Sequence, residues 1–225
     1  MHGLLILEDN TKFNIRLDAK PVTDTHMVYE TWGRHDYNPE GFGIKDTAYV
    51  IDIGAPFTAF AAKQAPHGQV FAFEPFPENF QLLQDNVTLN NLKNVQMFNL
   101  GVGGRSKEVQ LYLDETNNAG HSMFKVTNNA ITIKLVSLDS IFEDNSLKRC
   151  SFLKIDCEGA EYEILFNASN ATLAKISMVA MEYHDGMYRE KNVKDMIKLL
   201  SANGFTVKLS TPKASQGLLY AKKKL

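Results

Sequence analysis

Five short apolar runs, spaced by stretches with helical periodicity, constrain this chain more than any other feature. They are Tyr49–Ile53, Gln69–Phe73, Val95–Phe98, Phe152–Ile155 and Met178–Met181. Runs this continuous, without period-two alternation, suit strands covered on both faces of a parallel sheet. Between them, residues 57–64 place Phe57, Phe60 and Ala61 on one face and stop at Pro66-His67-Gly68. Residues 77–90 group Phe80, Leu83 and Val87, and residues 158–166 group Tyr162, Leu165 and Phe166. Strand alternating with helix predicts a doubly wound α/β fold.

Three regions depart from that rhythm. Leu4 to Leu7 and Phe13 to Leu17 flank the turn formers Glu8-Asp9-Asn10-Thr11, which predicts a hairpin. With its connector it spans residues 1–48 and packs on a core unit, 49–225. Residues 103–136 lack a helical pattern and read as strands at Glu108 to Leu113, Ser122 to Val126 and Ile131 to Val136. They form a β-rich insertion in place of the third crossover helix. Near the end, Val193, Met196, Ile197 and Leu200 line one face of a helix over 193–202 that Asn203-Gly204 caps. Strands over 205–209 and 218–221 follow, and the short loop holding Pro212 and Gly217 requires them to pair antiparallel.

A length of 225 residues suits one folded unit with a core of its own. Lysine and arginine total 24 against 26 acids, a net charge of −2, so nothing favours nucleic acid as a partner. Lys222-Lys223-Lys224 reads as a solvated tail. Cys150 and Cys157 match no zinc spacing and lie by apolar stretches, so both read as buried free thiols in a reducing compartment. Leu4 to Leu7 is too short for a signal peptide and lacks basic residues before it, and no run reaches membrane-spanning length. A cytoplasmic protein without a membrane partner is expected. Oligomeric state leaves no mark in the sequence.

Chemistry gathers where strands end. Asp52-Ile53-Gly54-Ala55 closes the first run, and ligands of open α/β sheets bind at the carboxyl ends of strands, where a glycine admits close backbone approach. Glu74 follows the second run by one residue, a position from which a carboxylate accepts hydrogen bonds from both hydroxyls of a ribose. No second glycine follows Gly54 until Gly68, which argues against a pyrophosphate cofactor and a nicotinamide oxidoreductase. Pro77 suits the first turn of the next helix. Asp156 ends the fourth run and begins a cluster with Glu158 and Glu161. Capping of the following helix explains Glu161, and less well Asp156. Glu182 and His184 lie at the tip of the fifth run. His184 or Asp156 could take a proton from an acceptor hydroxyl. Asp156, Glu182 and His184 could also close on a divalent cation, but a lone histidine near a strand end is more often structural, and no metal is assigned.

At this point the sequence resembles the FkbM family of methyltransferases. The resemblance runs from about Tyr29 to His184. It rests on Val50 to Ala55, Ala72 to Asn79, Leu89-Asn90-Asn91, Leu138-Asp139, Lys154 to Glu161 and Glu182-Tyr183-His184, with Tyr29-Glu30 and Tyr37 upstream. It implies a class I methyltransferase fold, Rossmann-like, with a mostly parallel seven-stranded sheet ending in an antiparallel hairpin. It implies S-adenosylmethionine as cofactor, bound by Asp52, Gly54, Ala55, Glu74, Tyr37, Asn99, Leu100 (through its backbone) and Asp156. Asp156, Glu182 and His184 would be catalytic, and the acceptor a hydroxyl of a small molecule or sugar. His121 and Ser122 of the insertion would help shape the acceptor pocket.

The sequence departs from the family after Ala55. Members continue with Asn, an apolar residue and a second Gly, whereas here Pro56-Phe57-Thr58 follows at once. Proline lacks an amide hydrogen and has a fixed φ, although it suits the first position of a helix. Two readings stand: an active O-methyltransferase, or a non-catalytic methyltransferase-like binding protein with an impaired cofactor loop.

Overall fold

The structure, a computed structural model, describes residues 2–17, 23–54, 57–114, 120–210 and 215–224. Its centre is a seven-stranded sheet built from the apolar runs. The strands are β3 (Tyr49–Ile53), β4 (Gln69–Phe73), β5 (Val95–Phe98), β9 (Phe152–Ile155), β10 (Met178–His184), β11 (Phe205–Ser210) and β12 (Gln216–Lys223). Their order across the sheet is β11-β12-β10-β9-β3-β4-β5. From β5 to β10 every pairing is parallel, and β12 inserts antiparallel between β10 and β11.

Side-chain alternation assigns each strand to two cores. Ile51, Ile53, Leu153, Ile155, Val179 and Met181 face one, with Tyr162, Phe142 and Leu200. Val50, Phe152 and Ala180 face the other, with Phe57, Phe60, Tyr37 and Tyr220. By the same parity Asp52, Lys154 and Glu182 project to the second side. Helices α2 (Thr58–Gln64), α3 (Pro77–Leu89) and α7 (Val193–Ala202) fall where periodicity places them. Asn203 ends α7, and Gly204 follows with φ +82°.

The N-terminal hairpin pairs β1 (His2–Ile6) with β2 (Lys12–Arg16). The Asn14 amide donates to Asn86 Oδ1 (2.7 Å), and Phe13 meets Trp32 edge-on with centroids 5.0 Å apart, which pins β2 to α3 and to the connector. That connector holds α1 (Thr23–Val28) and a π-helical turn, Tyr29–Gly33, neither of which the sequence pattern announced.

Four expectations need correction. The insertion precedes a crossover helix and does not replace it. Its strands β6 (Gly101–Gly103), β7 (Lys107–Tyr112) and β8 (Ala130–Ser137) lead into α4 (Leu138–Asp144), which Ser137 caps by accepting from the Ser140 amide (3.0 Å). Residues 122–126 are not a strand; only Ser122 bridges Tyr112. The helix expected from Glu158 begins at Glu161, as α5 (Glu161–Asn167), because Glu158 and Gly159 adopt left-handed φ of 52° and 109°. Gly217 lies inside β12, not in the loop before it. Pro212 lies outside the described residues. Cys150 is buried and Cys157 only partly so. No helix among the described residues is long and apolar enough to cross a membrane.

Candidate active site

The carboxyl ends of β3, β4, β9 and β10 open into one cleft. Its described lining includes Gly54, Glu74, Gly101, Asp156, Glu158 and Glu182. Gly54 makes the geometry possible. It sits at φ +79°, and a Cβ there would lie 1.9 Å from the Asp156 carbonyl oxygen. Its amide donates to the Phe73 carbonyl (3.0 Å), while the Asp156 amide donates to that of Ile53 (3.0 Å). Three adjacent strand ends are thereby tied together.

Glu74 leaves the end of β4 almost buried, and its Oε1 accepts from the Phe76 amide (3.0 Å). Asn99 supports it from below, donating through Nδ2 to the carbonyls of Glu74 (2.9 Å) and Pro75 (3.1 Å). Asn99 itself is exposed, and Leu100 packs toward the first core. The cleft wall at this point is Gly101 and Val102.

Behind the wall lies a buried charge network. Asp52 is fully buried and accepts from Thr58 Oγ1 (2.6 Å), an interaction that joins the strand end to α2. Burial pushes its carboxyl up to about 6, against the pull of Lys154. Lys154, also fully buried, lies 3.6 Å from Asp52 Oδ1 and 3.6 Å from Asp156 Oδ2. Tyr37 donates its hydroxyl to Asp156 Oδ2 (2.8 Å). Asp52 and Tyr37 therefore stand behind Asp156 and the Gly54 turn, not among the described lining residues.

On the other side of Asp156, Glu161 is fully buried and accepts through Oε1 from the amides of Cys157 (3.1 Å) and Gly159 (3.1 Å). This is the turn-capping role its position implied. Its Oε1 also lies 3.2 Å from His184 Nδ1, and Glu158 Oε2 lies 3.8 Å from His184 Nε2. Burial alone would lower the His184 pKa, but the hydrogen bond and charge of Glu161, with the charge of Glu158, raise it to about 9. An imidazolium between two carboxylates is a structural cation; it has no free lone pair to act as a base.

Glu182 differs. Its carboxyl lines the cleft, and burial together with the nearby charge of Asp156 pushes it up to about 7, which His184 only partly offsets. A carboxylate with that value is matched to accepting a proton near neutral pH. Glu30 reaches the same cleft from the π-helical turn, paired with His26 Nε2 at 3.1 Å. His121 lines the cleft from the insertion, with Nδ1 accepting from the Asp114 amide (3.0 Å), while the Ser122 hydroxyl donates to the Glu158 carbonyl (2.7 Å).

The structure thus brings Gly54, Glu74, Asp156 and Glu182 to one cleft. It sets Asp52, Tyr37, Asn99 and Leu100 behind its walls and holds His184 in an ion pair. Ala55 and the short loop at Pro56 lie outside the described residues. Sequence reading placed Lys154 and Glu30 in the segments that carry the family resemblance but gave neither a role in the site. A lysine inside an otherwise buried strand, level with Asp52 across the sheet, was the available signal for the first.

Comparison with known proteins agrees with this fold. The family model described as "Methyltransferase FkbM domain" matches residues 52–207. The chain is 27% identical over 192 residues to Methyltransferase 1 of Beauveria bassiana, covering 74% of this chain and 76% of that protein. It is 31% identical over 161 residues to the hexuronic acid methyltransferase AglP of Haloferax volcanii, covering 71% of this chain and 62% of that one. The solved structure of Streptococcus mutans SMU.1697c in complex with SAH superposes with a TM-score of 0.52 at 17% identity, covering 85% of this chain and 96% of that one. The precorrin-6y C5,15-methyltransferase of Geobacter metallireducens gives a TM-score of 0.51 at 13% identity, covering 98% of each chain. The structural likenesses speak for the class I methyltransferase fold alone. The family match speaks for methyl transfer, and none of the comparisons favours the non-catalytic reading.

Proposed function

The chain belongs to the FkbM family of methyltransferases, and from that premise we propose that it methylates an uncharged hydroxyl acceptor, sugar-like in character, in the cleft described above. The protein is an S-adenosylmethionine-dependent methyltransferase. When bound, the cofactor supplies a sulfonium methyl group open to in-line displacement by an acceptor oxygen. The residues present fit it: the Gly54 turn allows close backbone approach, Glu74 offers a carboxylate to a ribose, and Phe73, Phe76 and Val102 offer apolar surface.

In this reading Glu182 accepts the hydroxyl proton, Asp156 orients the acceptor, and His184 holds the turn from Cys157 to Glu161. Asp52, Tyr37 and Asn99 act one layer back. His26, Met27 and Glu30 of the connector contribute to the cleft of the unit 49–225. Both described cysteines are free, in keeping with a cytoplasmic protein.

One observation carries the acceptor class. The described lining contains Glu30, Glu74, Asp156, Glu158 and Glu182 and no lysine or arginine. An anionic acceptor entering such a cleft meets a lining in which acidic side chains outnumber basic ones. The name of the Haloferax relative supports a sugar-type acceptor, and the acidic lining favours its neutral counterparts. Transfer of a labelled methyl group to matched panels of neutral sugars and uronic acids tests this. Label in the neutral panel is expected; equal labelling of the uronic acids would overturn the acceptor class.

A further inference from the structure

Lys154 is a fully buried ammonium in the middle of an apolar sheet, and a charge in such a place persists only when its surroundings compensate it. The compensation reaches in two directions. On one side Nζ donates to the Gly54 carbonyl and, at 3.4 Å, to that of Ile53, in the turn proposed above to support the cofactor. On the other it lies 3.6 Å from Asp156 Oδ2 and 4.9 Å from the centre of the Tyr37 ring. Tyr37 donates its hydroxyl to that same Oδ2. Asp52 completes the set, and its Oδ1, buried and without a hydrogen bond, has the Lys154 ammonium 3.6 Å away.

We propose that Lys154 is a positioning residue for methyl transfer, a single buried cation that fixes the Gly54 turn on the cofactor side and the Asp156 carboxylate on the acceptor side. The proposal rests on the function proposed above. Asp156 is faced by Glu182 and His184 from β10, by Glu30 from the π-helical turn, by Cys157 beside it, by Tyr37 from the connector and by Asp52 from β3, with Glu158 and Glu161 against His184. Most of these are acids, and the one other cation, His184, is held by Glu161. Without Lys154, the Asp156 carboxylate loses its buried countercharge and is left among like charges.

The test compares the full chain with its Lys154→Met variant, which keeps the length and apolar stem of the side chain. Carboxyl carbon NMR follows the Asp156 resonance without cofactor, and calorimetry follows S-adenosylhomocysteine binding. The expected result is a displaced Asp156 resonance and affinity weaker by roughly tenfold or more. A folded variant with both properties unchanged overturns the proposal. Should Lys154→Met fail to fold, the double variant Asp52→Asn/Lys154→Met removes a matched pair of charges, and the same two outcomes apply to it. Tyr37→Phe gives an independent arm, because it leaves the Gly54 contact in place: the Asp156 resonance should move while affinity stays within a few-fold, and an unmoved resonance counts against the clamp. A parent chain that fails to bind S-adenosylhomocysteine, while Lys154→Met still moves the Asp156 resonance, would remove the proposed function and leave the clamp standing.

Discussion

His184 Nδ1 lies 3.2 Å from Glu161 Oε1, and both side chains are buried. The pair ties the end of β10 to the start of α5 and turns a candidate base into a structural cation. The folded-state pKa of His184 is raised from 6.5 to about 9. Its contribution is therefore complete below about pH 6.5 and is lost as pH rises through about 9. Stability should fall across that window by up to about 3 kcal/mol. Urea unfolding at pH 6 and pH 9.5 measures the loss, and His184→Gln should flatten the profile.

Glu182 should behave in the opposite way for activity and stability. As the proposed base it must be ionised, so kcat/KM should rise with pH through about 7. Glu182→Gln should lower kcat by roughly 10²–10⁴-fold and abolish that limb. Ionising a half-buried carboxylate beside Asp156 also costs stability, a cost absent at low pH and incurred as pH rises through about 7. The same variant should therefore be more stable than the parent at pH 8, by roughly 1 kcal/mol after allowance for solvent screening. Paired rate and unfolding measurements check both signs.

Gly54→Ala should damage the site through the backbone. Its φ of +79° disfavours any side chain, and the new methyl would collide with the Asp156 carbonyl oxygen. A loss of at least about 2 kcal/mol is expected, together with weaker cofactor binding. Chemical denaturation and calorimetry read the two effects separately.

Glu74→Ala should weaken S-adenosylhomocysteine binding by roughly 10–100-fold, the value of hydrogen bonds to a charged acceptor. Asn99→Ala, which removes only the support under the Glu74 and Pro75 carbonyls, should weaken it less. Calorimetric titration of both variants gives the ratio.

Much of this architecture was legible in the chain. Four of the five apolar runs became strands with the expected limits, because strands covered on both faces must be apolar throughout. The fifth extends to His184, which places Glu182 within β10 and not beyond it. The strand-end acids were legible for the same reason, since a sheet of this kind exposes little besides its strand ends. What could not be read was which acids face the cleft. Asp52 and Glu74 occupy similar positions in the sequence, yet β3 directs Asp52 toward Thr58 and Lys154, while Glu74 lies past the end of β4 and reaches the cleft. That Glu30 faces the cleft was hidden because a single π-helical turn has no periodic signature. The left-handed Glu158 was hidden because a Glu before Gly also reads as the start of a helix.

Titration of the purified full chain with S-adenosylhomocysteine, followed by calorimetry, tests the central claim most directly. Saturable one-to-one binding in the micromolar range, weakened by Glu74→Ala, is the expected result. A folded protein that binds neither S-adenosylhomocysteine nor S-adenosylmethionine would contradict it and return the shortened loop after Ala55 to the centre of the explanation.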